Sequence, residues 1–204
     1  MKWEAFLVTV ADLRFFDLNT IRTMFPEDQN VHANLHRWKR SGKVLELRRG
    51  LYTLSETYRK LPVHAPALAY AIYPPSYLSL QWALSWYGII PEHTVMHTSV
   101  STRETRSFVN DFGHFSYRTV KQQLFHGYEE VQIMGAPVYL AVPEKALCDF
   151  WYLTTGLWDT ARMESYRFNP EIADPEQLDR IVDSFRSPRM DKALQAWRSY
   201  AQDI

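Results

Sequence analysis

The stretch QNVHANLHRWKRSGKVLELRRGLYTL, residues 29–54, decides the fold of the first part of the chain. Val31, Leu35 and Trp38 recur at i, i+4 and i+7, a spacing that places them on one side of an α-helix over residues 29–41. Gly42 is expected to end this helix, because glycine adopts the left-handed conformation found after many helices at little cost. The pattern therefore predicts an amphipathic helix with one buried side.

An extended segment follows the helix and turns back on itself. Residues 44–49 alternate in the manner of a β-strand, Gly50 interrupts them, and residues 51–54 resume the pattern. Arg48 and Arg49 precede the glycine, so the tip of the predicted hairpin carries two positive charges.

Two shorter helices are predicted upstream, over residues 3–10 and 20–25, with Asn19 as the N-cap of the second. A short helix, a turn and a longer basic helix form a helix-turn-helix, and a hairpin after it forms a wing. The first 58 residues are therefore predicted to be a winged helix-turn-helix, which is an architecture for reading DNA.

The charge distribution supports this interpretation, although the formal net charge of the 204 residues is zero. Residues 1–60 contain 11 Lys and Arg against 7 Asp and Glu, whereas residues 61–204 contain 12 against 16. Residues 29–60 alone contain 8 against 2. A basic segment on a mildly acidic remainder is typical of a DNA-binding protein that does not adhere to every polyanion.

The side chains expected to contact DNA lie on the outer side of the long helix, just after it, or at the hairpin tip: Gln29, Asn30, His36, Arg37, Lys39, Arg40, Lys43, Arg48 and Arg49. Amide groups can bridge adenine and an imidazole can donate to guanine, whereas arginine can read guanine or hold a phosphate. Lys39 lies toward the flank, which favours a phosphate contact. The alternatives are an ordinary solvated helix face and an ordinary charged turn. Against them, no acidic residue lies between Asp28 and Glu46.

The second part of the chain, residues 63–204, is predicted to be a larger α+β domain. Apolar helical segments and β-like segments suggest helices at both ends of a small, mostly antiparallel sheet. Helices are expected over residues 64–72, 78–87, 143–154, 176–186 and 189–201, and strands over 94–102, 114–120, 130–134 and 137–142.

Several classes of protein are disfavoured by the sequence. Cys148 is the single cysteine, so no internal disulfide can form, and no run of 18 apolar residues predicts a membrane span. The N-terminus has no long uncharged apolar core, so a cytoplasmic location is expected. No nucleotide-binding glycine loop, paired-cysteine spacing or nucleophile elbow occurs, so neither catalysis nor a metal or other cofactor is expected.

Four segments in this order and spacing resemble the AbiEi-type antitoxins of bacterial type IV toxin–antitoxin systems. They are RRGLY at residues 48–52, PSYLSLQWALSWYGI at 75–89, PEKALCD at 143–149 and MESYRF at 163–168. Together they span most of the chain. The resemblance implies an N-terminal winged helix, a larger C-terminal domain, repression of the protein's own operon, and counteraction of a co-encoded AbiEii-type nucleotidyltransferase toxin.

The resemblance also leaves open a partner-binding role for residues within two of these segments, namely Glu144, Lys145, Asp149 and Arg167. Spacing favours a local role for the first three, because Asp149 stands four residues after Lys145 and Glu144 complements a helix start. The expected partners are double-stranded DNA with inverted repeats and, with direct contact left open, the toxin. The alternative is a winged helix used for protein interaction, with a C-terminal domain that binds a partner without specific DNA readout.

Overall fold

A computed structural model describes residues 1–202 and shows an α+β protein, which confirms the α+β class predicted from the sequence. The contacts between residues divide the chain into two compact units. Unit 1 comprises Met1–His64 together with Asn110–Phe112, and unit 2 comprises Ala65–Val109 and the residues from Gly113 onward.

Unit 1 contains three helices and a three-stranded antiparallel sheet. In chain order they are α1 (Trp3–Val10), β1 (Phe16–Asp17), α2 (Leu18–Met24), α3 (Val31–Arg40), β2 (Val44–Arg48) and β3 (Leu51–Leu54). Strand β3 lies in the centre of the sheet and pairs antiparallel with both β1 and β2. The predicted hairpin is present, and the short strand β1, which was not predicted, covers its other edge.

One side of each helix packs into the core of unit 1. Phe6 and Val10 of α1 and Val31, Leu35 and Trp38 of α3 are all buried, as the 3.6-residue spacing predicts. The rings of Phe6 and Trp38 lie 4.5 Å apart, centroid to centroid. Burying a side chain such as Leu35 contributes about 1.5–3 kcal/mol, so this packing fixes which side of α3 remains at the surface.

The start of α2 differs from the prediction. The helix begins at Leu18 rather than residue 20, and its N-cap is Asp17 rather than Asn19. The backbone N–H of Thr20 donates to Asp17 Oδ1 at 2.7 Å. Asp17 takes this role because it ends β1, and its extended backbone aims the carboxylate at the first turn of the helix.

Unit 2 contains six helices and six strands within the described residues. The helices are α4 (Ala65–Ile72), α5 (Leu80–Trp86), α6 (Pro143–Leu153), α7 (Thr160–Tyr166), α8 (Pro175–Phe185) and α9 (Pro188–Gln202). The strands are β4 (Ser76–Leu78), β5 (His97–Ser101), β6 (Arg106–Asn110), β7 (Gly113–Thr119), β8 (Tyr128–Ile133) and β9 (Ala136–Ala141). One-turn 3₁₀ helices cover Gln122–Leu124 and Pro170–Ile172.

The sheet of unit 2 is larger than predicted and is mixed rather than mostly antiparallel. Its order is β6-β7-β5-β4-β9-β8. Strand β4 pairs antiparallel with β5 and parallel with β9, while β5 and β7 are parallel and β8 and β9 are antiparallel. Both parallel pairs, β4 with β9 and β5 with β7, join strands that are not consecutive in the chain.

Helix α6 is the central helix of unit 2, packing against α5, α8 and α9. Eight of its residues, from Glu144 to Trp151, are buried, and most of them are apolar. Two strands and one α-helix of unit 2 are not predicted by the sequence: β4, β6 and α7. The sequence predicts that Leu78 lies in a helix, whereas it ends β4. No helix among residues 1–202 has the length and apolar character needed to cross a membrane.

Candidate nucleic-acid interface

The surface side of α3 carries the polar and basic residues that the sequence placed there. His36, Arg37, Lys39 and Arg40 are exposed, as are Gln29 and Asn30 just before the helix. Basic residues fill the last turn, and the helix carries no acidic residue in its first turn. The surface side of the helix is therefore positively charged, with amide groups just before its first residue and an imidazole near its middle. We call this surface, residues 29, 30, 36, 37, 39 and 40, the α3 face.

Arg37 is held in place by its own helix. Its Nη2 donates to Asn34 Oδ1 at 2.9 Å, and Asn34 Nδ2 donates in turn to Asp28 Oδ2 at 3.4 Å. The guanidinium carbon also lies 5.9 Å from the centroid of the Trp38 ring. Asn34 is buried although it is polar. These two hydrogen bonds satisfy its side chain, which links the Arg37 guanidinium to the turn before the helix.

Lys39 has a charged partner within unit 1, which the sequence did not predict. Its ammonium forms an ion pair with the Glu46 carboxylate of β2, and both side chains are only partly exposed. This hydrogen bond raises the pKa of Lys39 above its ordinary value. The ion pair joins α3 to the hairpin.

A cleft of about 530 Å³ lies between α3 and the hairpin. It is lined by Leu18, His32, Leu35, His36, Lys39, Glu46, Arg49, Gly50 and Tyr52. Glu46 and Tyr52 face each other across the β2–β3 pair. Burial raises the pKa of Tyr52, and the neighbouring Glu46 carboxylate raises it further.

The two arginines of the hairpin tip differ in their exposure to solvent. Arg49 is exposed, beside Gly50, whose φ of +83° is a conformation that favours glycine. Arg48 is half-buried and donates through Nη1 to the carbonyl of Arg49 at 3.0 Å. The backbone hydrogen bond from Thr20 is the largest cause of the lowered pKa of Asp17, and the charge of Arg48 is a smaller one. Arg49 is therefore the more accessible cation of the pair.

Lys43 lies apart from the α3 face. Its Nζ is 4.7 Å from the centroid of the Trp3 ring and 6.0 Å from that of Tyr58. The side chain is half-buried against this aromatic pair. A cation over aromatic rings is a stabilising arrangement within unit 1, so Lys43 is better explained by packing than by DNA contact.

The expected partner surface of unit 2 is corrected for three of its four residues. Glu144, Lys145 and Asp149 are buried, so they cannot form a contact surface in this conformation. Lys145 and Asp149 form a buried ion pair, which agrees with the local role that their spacing indicated. Glu144 Oε1 accepts a hydrogen bond from the backbone N–H of Asp174 at 2.7 Å. Only Arg167 is exposed, where it pairs with Glu92.

No local sequence pattern indicates the groups that complete these arrangements. In the sequence, Glu46 only ends a stretch without acidic residues, and Asn34 carries no pattern that singles it out. The hydroxyls of Tyr77 and Ser79 donate to Asp149 Oδ2 at 2.9 and 2.8 Å, from positions 70 or more residues away. Their distance in sequence explains why no local pattern could indicate them.

Among residues 1–202, no group of three or more His, Cys, Asp or Glu is placed to hold a metal ion. No protein-family model matches the chain, and no curated protein matches its sequence.

Proposed function

We propose that unit 1 is a winged helix-turn-helix that binds double-stranded DNA and reads its sequence. The observation that carries this proposal is the α3 face, a helix surface with basic and amide side chains next to the exposed Arg49 of the hairpin. The element order α1-β1-α2-α3-β2-β3 also supports it, because a winged helix has this order. In this arrangement α3 enters the major groove and the hairpin lies alongside.

Each side chain has a role that follows from its surroundings. Arg40 and Arg37 read guanine or hold phosphates, and Arg37 approaches the groove already oriented by Asn34. Gln29, Asn30 and His36 supply hydrogen-bonding groups for base edges. Arg49 contacts a phosphate or the minor groove.

Occupation of inverted repeats in the protein's own promoter would block transcription, which makes the chain an autorepressor. Hydroxyl-radical footprinting on the DNA upstream of its coding sequence tests this. We expect protected patches on repeated half-sites whose centres lie about 10–10.5 base pairs, or a multiple of that, apart, because α3 must meet the same groove face twice. Uniform cleavage at saturating protein would contradict the proposal. We also propose a cytoplasmic location, in keeping with a promoter as the target.

The antitoxin role is proposed from the resemblance alone. Under this proposal the chain counteracts a co-encoded AbiEii-type nucleotidyltransferase toxin, and Arg167 is the exposed member of the expected contact residues. Co-expression with the adjacent toxin gene tests it: growth should be restored by the full chain. Arrested growth in the presence of folded chain would contradict the role.

The alternative is a winged helix that binds a protein. It is distinguished by DNA binding that is equal on native and scrambled sequences and by stable co-purification with a partner. The exposure of basic residues on α3 favours DNA, because phosphates are the acceptors that a cationic helix face fits best.

A further inference from the structure

Glu46 is the one acidic side chain among the residues that line the cleft between α3 and the hairpin. The other polar groups of the lining are basic or neutral: His32, His36, Lys39, Arg49 and Tyr52. Glu46 is 26% exposed and holds the ammonium of Lys39, which is 42% exposed. A negative charge therefore lies in a cleft lining whose other charged side chains are basic.

We propose that Glu46 is a specificity-determining residue: it holds the Lys39 ammonium away from DNA phosphates and so suppresses sequence-independent binding. This inference rests on the proposed DNA-binding function of unit 1. It assigns Lys39 a restrained charge, in place of the free phosphate contact that the sequence suggested.

The physical reason is the origin of non-specific affinity. Binding to any DNA sequence depends on how many phosphates the protein neutralises, since each releases condensed counterions. A lysine paired with a carboxylate contributes little to that number. Binding to the correct sequence gains additional free energy from base contacts made by other residues of the α3 face. Base contacts fix one register of α3 on the correct sequence, where the paired Lys39 is not needed, whereas a non-specific complex has no fixed register and depends on the cations that can reach phosphates. Restraining Lys39 therefore lowers non-specific affinity more than specific affinity, and their ratio rises.

Glu46→Gln tests the inference, because it removes the charge and keeps the side-chain shape. Affinity is measured for the full chain on upstream DNA and on a scrambled probe over a range of salt. For the scrambled probe we expect a salt slope steeper by about 0.9 and a gain of roughly eightfold at 0.1 M salt, which correspond to one additional phosphate contact. We expect a smaller gain on upstream DNA, so the ratio of specific to non-specific affinity falls.

Glu56→Gln is the matched control. Glu56 is an exposed acid of unit 1 outside the cleft, so it tests the same change of charge without releasing Lys39. The second test repeats Glu46→Gln in a Lys39→Gln background, where we expect little gain because no ammonium remains to be released. An equal gain in both backgrounds would overturn the role of Lys39.

Failure of the inference can be distinguished from failure of the proposed function. If the unmodified chain discriminates upstream from scrambled DNA but Glu46→Gln behaves like Glu56→Gln, only the inference is overturned. An equal gain on both probes also overturns it, because specificity is then unchanged. If the unmodified chain shows no preference for upstream DNA, the proposed function fails and the inference fails with it.

Discussion

The ammonium of Lys145 contacts the carboxylate of Asp149 one turn further along α6, and neither side chain has any exposed surface. The second oxygen of Asp149 accepts hydrogen bonds from the hydroxyls of Tyr77 and Ser79. Burial, followed by the Asp149 charge, raises the pKa of Tyr77 well above its ordinary value, so Tyr77 remains a hydrogen-bond donor. One ion pair thus connects α6 to β4 and to the residue that precedes α5.

Removing either charge of this pair should destabilise the protein. We expect Lys145→Met and Asp149→Asn each to lower the free energy of unfolding by about 3–5 kcal/mol, because the remaining charge is left buried without a partner. Chemical denaturation measures the change. Lys192→Met, on the exposed side of α9, is the control and should have little effect. The double variant should cost less than the sum of the two single variants. Single variants no less stable than the control would refute this.

Arg40→Ala should weaken DNA binding without affecting folding. Arg40 is exposed at the end of α3 and has no ion-pair partner among residues 1–202. If it reads a base, we expect a loss of about 1–3 kcal/mol on upstream DNA and relaxed preference at one base pair. Affinity measurements and thermal melting test this together. Arg180→Ala, an equal change of charge on the exposed side of α8, should leave affinity unchanged. Unaltered affinity in Arg40→Ala would remove α3 from the interface.

Arg49→Ala should reduce affinity for upstream and scrambled DNA alike. Arg49 lies at the hairpin tip, where a charge contacts phosphates more readily than base edges in the major groove. We expect the salt dependence to become shallower by about 0.9, the contribution of one phosphate contact. Titration of both probes at several salt concentrations provides the slopes. A loss confined to upstream DNA would show instead that Arg49 contributes to sequence readout.

Asp17→Ala should destabilise the protein in a pH-dependent manner. Loss of the N-cap of α2 costs about 0.5–2 kcal/mol at neutral pH. The hydrogen bond from Thr20 is the main reason that the pKa of Asp17 is below its ordinary value in the folded protein. A lowered folded-state pKa means that the contribution is present above the unfolded-state pKa of about 3.9 and is lost as the pH falls through the folded-state value.

The measurement for Asp17 is the free energy of unfolding of both proteins between pH 7 and pH 2. The difference between them should be constant down to about pH 4 and then shrink. Asp12→Ala is the matched control, because Asp12 is an exposed carboxylate that pairs with Lys60 at the surface. A difference that stays the same at pH 2 would show that the carboxylate charge does not matter.

The sequence predicted α3, its buried side and its exposed side. The 3.6-residue period of its apolar residues can be read from a short stretch of sequence, and the same residues pack into the core of unit 1. The hairpin was predicted for a similar reason, since Gly50 supplies a positive φ between two extended segments. In contrast, β4 contains only three residues, too few to show alternation, and its apolar residues merged with those of α5. Strand β6 is mostly exposed and polar, so it carries no buried pattern.

The sequence predicted which residues lie on the candidate interface, but not which of them form ion pairs. Exposure of Arg37, Arg40 and Arg49 follows from periodicity and turn position. The ion pair of Lys39 with Glu46 joins α3 to β2, so it depends on how the strand packs against the helix. Likewise, the i, i+4 spacing of Lys145 and Asp149 suits a surface pair and a buried pair equally. Tertiary packing decides between them, and a local pattern does not contain that information.

The most direct test of the proposed function is a mobility-shift titration of the full chain on its own upstream DNA, with scrambled DNA as competitor, at two salt concentrations. We expect a complex with upstream DNA that persists in excess scrambled competitor and weakens at higher salt while keeping its preference. Equal binding to both probes, lost steeply as salt increases, would mean counterion release without sequence readout and would contradict the assignment of α3 as a recognition helix.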